Sequence, residues 1–273
     1  MKKKTISIIL SIAVLVGIFS VINFTTTPVS SKFTITSYTS KQQKFIAHRG
    51  LSSKYPENTL PAINAAIENG FYGCEFDIHT TKDGVWVLNH DTSIDKMTDG
   101  TGEISDYTYE ELLKFNVDNG QGIENYKNLK LPTLAETLQA ISNSDIVAFI
   151  EIKGYNTEAF ADLISMIYEY NLIKRTIIIS FDMEALIALR ELDENITAMY
   201  VTNELTFEDV DTCEKYNFGC DVNAWLVFKM FGELKAAKAL DLTLAAWTVD
   251  MPFLSDFLHL IGIDYITTNR IIP

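Results

Sequence analysis

The chain is poor in cysteine, in positive charge and in nucleotide-binding loops, and each shortage excludes a class of function. Its 273 residues contain 3 cysteines, Cys74, Cys213 and Cys220. None stands in a C-x-x-C pair, which gives no support to a thiolate zinc site or a thioredoxin-type redox site. An odd, low count also argues against a disulfide framework and leaves a Cys213–Cys220 bridge as the only local pairing to consider; an isolated cysteine is usually a small buried apolar residue. Lysine and arginine number 22 against 36 acidic residues, a formal net charge of -14. A broad nucleic-acid surface is excluded on that balance, and an anionic membrane surface would repel the globular part. No G-x-G-x-x-G or Walker loop occurs. An anionic substrate would need a locally positive site within an acidic protein.

Long apolar runs are also absent, save one. "MKKK" precedes "ISIILSIAVLVGIFSVINF", Ile6 to Phe24. Softened by Ser7, Ser11, Ser20 and Asn23, it falls between a signal h-region of about 7–15 residues and a membrane span of roughly 17–25. It reads as a retained anchor or a cleaved signal. Either leaves Lys2, Lys3 and Lys4 inside and exports the rest. The Ser/Thr-rich stretch 25–43 reads as a linker.

From Lys44 on, short apolar runs alternate with amphipathic ones. "KFIAH", "CEFDIHT", "DIVAFIEIK", "RTIIIS", "ITAMYVT", "GCDVN", "LTLAAWTV" and "DYITTN" read as strands, most followed by a helix. The first helix spans "NTLPAINAAIENG", with Asn58 as expected N-cap and Gly70 as stop. Such alternation implies parallel strands with crossover helices. The expected fold is α/β, a (β/α)8 barrel over residues 44–273, with an open doubly wound sheet as the alternative. A segment of about fifty residues after strand two breaks the rhythm. It is read as an insertion, about 92–130, over one barrel face; long excursions of this kind are often functional.

In "GCEFDIHTTKDGVWVLNHD", Glu75, Asp77 and His79 occupy every second position of an apolar run. A strand turns them to one face, where acidic side chains need partners. Catalytic groups of such barrels come from strand C-terminal ends. Strand one ends in His48 and Arg49, strand two carries Glu75 and Asp77 with His90 shortly after, and strand three ends in Glu151 and Lys153. Carboxylates suit a hard divalent cation, Mg²⁺ or Ca²⁺. Arg forks onto phosphate oxygens. Two histidines can exchange protons near neutral pH. The set points to a metal-assisted reaction on a phosphate ester. The same residue types would also compose a salt-bridge network.

The ordered motifs "AHRG" (47–50), "PENT" (56–59), "EFD" (75–77), "TKDG" (81–84), "HD" (90–91), "LPTL" (131–134), "EIK" (151–153), "SF" (180–181) and "WTV" (247–249) resemble the glycerophosphodiester phosphodiesterase family. The resemblance covers the chain from about Phe45 to its end. It implies a barrel with an insertion after strand two, and hydrolysis of glycerophosphodiesters to glycerol 3-phosphate and an alcohol. By the same resemblance, His48 and His90 are the acid/base pair, Glu75, Asp77 and Glu151 the metal ligands, and Arg49 and Lys153 the phosphate-binding cations. The substrate's own glycerol hydroxyl would serve as nucleophile, through a cyclic phosphate. One departure stands at the end: where the family tends to have "TD" followed by Pro, this chain has Thr268-Asn269-Arg270-Ile271. Glu57 is expected behind Arg49, Trp247 at the pocket or in the core, and His79 at the rim. Trp225, Phe228 and Phe231 are expected in the core rather than as an apolar lip.

The substrate would be a small glycerophosphodiester or a lysophospholipid, with no nucleic acid and no obligate protein partner. The N-terminal segment would supply the membrane contact of an extracytoplasmic domain, anchored or secreted. Alternatives are a lysophospholipase D-like activity, hydrolysis of a cell-wall glycerophosphate polymer, a phosphoinositide-cleaving barrel, and a catalytically silent barrel used for binding.

Overall fold

The computed structural model describes residues 43–154 and 156–272. The expected anchor at 6–24 and nearly all of the expected linker lie outside them. Strand β1 (Lys44–Ala47) leads to helix α1 (Leu60–Glu68), then β2 (Gly73–Thr80) and β3 (Trp86–Leu88). Helix α2 (Tyr109–Leu112) lies in the excursion that follows. The alternation then runs α3 (Leu134–Ser142), β4 (Val147–Ile152), α4 (Phe160–Glu169), β5 (Thr176–Ser180), α5 (Met183–Leu192), β6 (Thr197–Thr202), α6 (Phe207–Tyr216), β7 (Gly219–Asn223), α7 (Phe231–Ala239), β8 (Leu244–Trp247), α8 (Pro252–Leu260) and β9 (Tyr265–Thr268). All strands except β3 pair in parallel, in the order β1-β9-β8-β7-β6-β5-β4-β2, and β1 pairs with β2 to close the ring. The fold is therefore the expected eight-stranded barrel. Among the described residues no helix is long and apolar enough to cross a membrane.

The period of two sorts side chains into two concentric cores. Ile46, Phe149, Ile177, Ile179, Met199, Val201 and Ala245 fill the barrel interior. Cys74, Phe76, Ile78, Ala148, Ile150 and Ile178, one residue out of phase, pack between strands and helices. Gly73 opens the inward row of β2 because a Cβ there would lie 2.7 Å from Ile46 and 2.9 Å from Phe149. The next inward positions of that row are Glu75 and Asp77. Interior packing thus seals one end and leaves the carboxylates toward the other. Cys74, Cys213 and Cys220 are buried and free, so the Cys213–Cys220 bridge is not formed.

Two local expectations are corrected. Thr59, not Asn58, is the N-cap of α1. Asn58 adopts a left-handed φ of 56°, which asparagine tolerates, and turns its side chain toward β2. The run "VWVLNH" also does more than open the insertion: β3 pairs antiparallel with β2, Val87 opposite His79. Beyond it, Ile94, Met97, Ile104, Leu112 and Val117 join Val87 and Leu131 in a small core of their own.

Candidate active site

The site begins at the turn after β1. Arg49 and Gly50 both have positive φ, 56° and 77°. A Cβ on Gly50 would sit 2.5 Å from the backbone of Ala62, so only glycine lets α1 approach this closely. The turn aims the Arg49 amide at Glu75 Oε2, 2.8 Å away. It also exposes the Arg49 guanidinium to Glu57 (3.1 Å) and Asp77 (3.4 Å). Glu57 is held in turn by Lys96 of the excursion, at 2.8 Å. Glu57 therefore stands between Arg49 and Lys96.

Parallel register supplies the acidic cluster. Asp77 and Glu151 are opposite each other on β2 and β4. With Glu75 they offer oxygens all within 4.8 Å of one another, and all three residues are buried. Asp77 is the best-partnered of them. Asn58 Nδ2 donates to its Oδ2 at 2.8 Å, and the Asp77 amide donates back to Asn58 Oδ1. Lys153 Nζ lies 3.1 Å from Asp77 Oδ1 and 2.5 Å from Glu151 Oε1. Burial alone would raise the Asp77 carboxyl, but Lys153 and Arg49, with Asn58, outweigh it and hold it below its ordinary range. Glu75 goes the other way: burial, then Asp77 and Glu151, push it well up. Glu151 is pushed up to about 7 by burial and by Asp77.

Glu75 Oε1 is buried without a hydrogen-bond partner. Three buried carboxylates against two cations leave an excess of negative charge, and Arg49 and Lys153 form their ion pairs with Glu57, Asp77 and Glu151 rather than with Glu75. This donor set fits a hard divalent cation, and Glu75, Asp77 and Glu151 could hold it. Binding would have to displace protons from Glu75 and Glu151. Affinity for Mg²⁺ or Ca²⁺ is therefore expected to fall as pH drops below about 7, by up to roughly tenfold per pH unit for each proton displaced. Calorimetric titration at pH 6 and pH 8 checks this; equal affinities would show that the carboxylates are not the ligands.

The two histidines reach the same cavity by different routes. The cavity has a volume of about 200 Å³ and is lined by His48, His90, Arg49, Lys153, Glu75 and Glu151 on one side and by Phe181, Val201, Asp221 and Trp247 on the other. His48 Nδ1 lies 2.7 Å from Asn269 Oδ1. The Asn269 amide is oriented by Asp250, whose Oδ2 accepts from its Nδ2 at 2.8 Å. Its oxygen must then face His48, so His48 carries its proton on Nδ1 and leaves Nε2 free. Nε2 lies 4.0 Å from Glu75 Oε2. Burial and the neighbouring Arg49 lower His48 to about 4, so it is neutral at physiological pH. His90 has instead a carboxylate on Nδ1, Asp91 Oδ1 at 2.7 Å. His79, on β2, reaches the His90 carbonyl with Nε2 at 3.3 Å and so ties down the loop that presents His90.

The structure thus brings together His48, His90, Glu75, Asp77, Glu151, Arg49 and Lys153. Trp247 lines the cavity in edge-to-face contact with Phe181, centroids 5.5 Å apart. Asp250 and Asp221 escaped the sequence reading, and Asn58 and Asn269 were noticed there only as a helix cap and as a departure from the family pattern, not for the partners they hold. Asp221 is buried on β7, raised well above the carboxylate range by burial and Glu151, and its Oδ1 has no hydrogen-bond partner. A signal existed for it, an acid at the inward phase of "GCDVN". Asn58 lay inside the "PENT" motif but its partner on β2 could not be read from it, and no signal existed for Asp250.

Trp225, Phe228 and Phe231 are not in the core. They are 63%, 53% and 54% exposed. Ala224–Lys229 forms a 3₁₀ turn, so every third side chain points the same way; Ala224, Val227 and Met230 are buried and 225, 228 and 231 face outward.

Comparison with known proteins agrees with this geometry. The profile of the glycerophosphoryl diester phosphodiesterase family matches residues 48–272. The chain is 37% identical over 158 residues to glycerophosphodiester phosphodiesterase 1 of Bos taurus, covering 57% of this chain and 48% of that protein. It thus spans about half the length of such curated relatives. It is 31% identical to a glycerophosphodiester phosphodiesterase of known structure from Parabacteroides distasonis, with a TM-score of 0.72 and coverage of 84% and 93%. A phosphodiesterase from Oleispira antarctica, solved in complex with the product sn-glycerol-3-phosphate, is 25% identical with a TM-score of 0.76 and the same coverage. The chain belongs to the glycerophosphoryl diester phosphodiesterase family.

Proposed function

We propose that this domain is a metal-dependent phosphodiesterase that hydrolyses glycerophosphodiesters to glycerol 3-phosphate and an alcohol. One observation carries the reading: two histidines with opposite Nδ1 partners, a neutral amide and a carboxylate, share a cavity with three buried carboxylates and two cations. Environments that differ in this way separate acid from base. His48, neutral with Nε2 free, accepts the proton of the substrate's glycerol hydroxyl as that oxygen attacks phosphorus. His90, oriented by Asp91 through its Nδ1, gives a proton to the departing alcohol oxygen. The resulting cyclic phosphate is opened by water with the roles reversed. Arg49 and Lys153 orient the phosphate. A divalent cation on Glu75, Asp77 and Glu151 would neutralise charge developing on the phosphate oxygens.

The lysine-led apolar run at 6–24 supports an exported domain tethered to a membrane, with residues 25–43 as the tether. A second reading, with lysophospholipid as substrate, is favoured by the aromatic rim of Phe181 and Trp247.

The test follows glycerol 3-phosphate release from glycerophosphocholine by the full chain in detergent. Release that stops with chelator and returns with Mg²⁺ or Ca²⁺ is expected. Release indifferent to chelator would remove the metal from the reading. No release with either cation, together with turnover of lysophosphatidylcholine, would favour the second one.

A further inference from the structure

Exposed aromatic side chains are sorted by the end of the barrel they occupy. Among the described residues, the exposed Phe and Trp side chains are Phe181, Phe207, Trp225, Phe228, Phe231 and Phe253. Phe181 directly follows β5. Trp225 and Phe228 follow β7. Phe207, Phe231 and Phe253 lie in the first turns of α6, α7 and α8. Helices of a (β/α)8 barrel run antiparallel to its strands, so their N-termini share the end where strands finish. All six therefore surround the end that carries the cavity, and all belong to the half built from β5 to β8. The excursion between β3 and α3 belongs to the other half. The opposite end exposes Tyr168, Leu192, Leu240 and Leu260, at helix C-termini, but neither Phe nor Trp.

The display is anchored by packing. Val227 and Met230, at 0% and 1% exposure, pin the 3₁₀ turn that projects Trp225 and Phe228. Phe228 stacks on Phe257 of α8, centroids 5.2 Å apart, which joins two neighbouring loops into one surface. Exposed aromatic side chains grouped at one end, rather than scattered singly, mark an interaction surface.

We propose that this aromatic crescent docks on a zwitterionic phospholipid bilayer and holds the cavity mouth against it. The proposal rests on the tethered phosphodiesterase reading above. Phe and Trp are the side chains that settle at the boundary between headgroups and acyl chains. Glu204, Asp209, Glu233 and Asp256 flank the crescent and outnumber Lys229, the exposed cation between Phe228 and Phe231, and the chain carries a net charge of -14, so an anionic surface is disfavoured and a zwitterionic one fits. The tether also reaches. Residues 25–43 extend to at most about 60 Å, enough to pass along the flank of a barrel from the start of β1 to its mouth. Docked this way, the site takes diesters from the bilayer surface rather than from bulk solution.

The experiment reconstitutes the full chain in phosphatidylcholine vesicles whose acyl chains carry bromine, a contact quencher of tryptophan. Trp86 is buried and Trp247 half-buried, so Trp225 is the exposed reporter. Strong quenching is expected in the parent chain and its loss in Trp225→Tyr. The double variant Phe228→Ser/Phe253→Ser should lower turnover of vesicle-embedded lysophosphatidylcholine about tenfold or more, while glycerophosphocholine turnover in solution stays within about twofold. Equal quenching in the parent and Trp225→Tyr would overturn the proposal. So would Trp225 shielded without vesicles by a dimer in sedimentation, which would make a second copy the occupant. Quenching needs no catalysis, so an absence of glycerol 3-phosphate release would count against the phosphodiesterase reading and leave the docking result standing.

Discussion

His48→Ala should lower kcat on glycerophosphocholine by about 10²–10⁴ with little change in KM, the range for removal of a positioned proton acceptor. The His48 ring is held by Asn269 and lies near the Glu75 edge, while its backbone bond to Thr268 survives the substitution, so the fold should persist; a circular-dichroism melt checks that. Asn269→Ala should cost less, about tenfold, because it removes the acceptor that holds the proton on Nδ1 while leaving Nε2 in place. The pH profile separates a base from a merely structural histidine. The base must be unprotonated, so rate is lost as pH falls through its pKa. His48 is lowered to about 4 by burial and Arg49, so at saturating metal the acidic limb should lie well below the ordinary histidine range. At limiting metal the limb should move up toward 7, where Glu151 takes on its proton. A limb near 6.5 that ignores metal concentration would contradict the assignment.

Asp77→Ala and Glu75→Gln should have opposite effects on stability though both abolish metal-dependent turnover. Asp77 is the shared counter-charge of Arg49 and Lys153 and the partner of Asn58. Its removal takes one carboxylate from each cation, which keep Glu57 and Glu151, and leaves the buried Asn58 amide without its acceptor, a loss of about 3 kcal/mol. For a domain of this size that is roughly 10 °C in Tm. Glu75 stands among like charges with one oxygen unpartnered. A neutral amide relieves that repulsion and can still accept from the Arg49 amide. Glu75→Gln should therefore hold or raise the melting temperature measured in chelator. It should also erase the upward shift that Mg²⁺ or Ca²⁺ gives the parent chain. Calorimetry of both variants with and without metal reads all four outcomes. A Glu75→Gln chain that melts far below the parent in chelator would show that Glu75 is a structural partner rather than a ligand kept in place at a cost in stability.

The sequence determined by itself whatever depends on near neighbours and on period. Alternation of two on β2 put Glu75 and Asp77 on one face, and eight repeats of strand and helix made a closed barrel. The motifs carried His48, Glu151 and Lys153 to strand ends, which any parallel barrel gathers at one mouth, while the antiparallel return of β3 along β2 brings His90 back to them. What tertiary structure alone decided is which polar group answers which. Asn58 looked like a helix cap because local pattern cannot reveal a partner on another strand; the left-handed turn after β1 delivers it to Asp77 instead. Asn269 looked like a departure from a family pattern, yet closure of β9 against β1 sets its amide on His48, and the Asp250 carboxylate fixes which way it faces. Trp225, Phe228 and Phe231 looked like core because apolar residues usually are. A 3₁₀ period of three turned Trp225 and Phe228 outward together, and Phe231 follows at the first position of α7. Periodicity along the chain follows from backbone geometry and is legible in one dimension. Pairing across strands, and the choice between two helical periods in a stretch that is apolar on every side, are set by what the rest of the barrel packs against them.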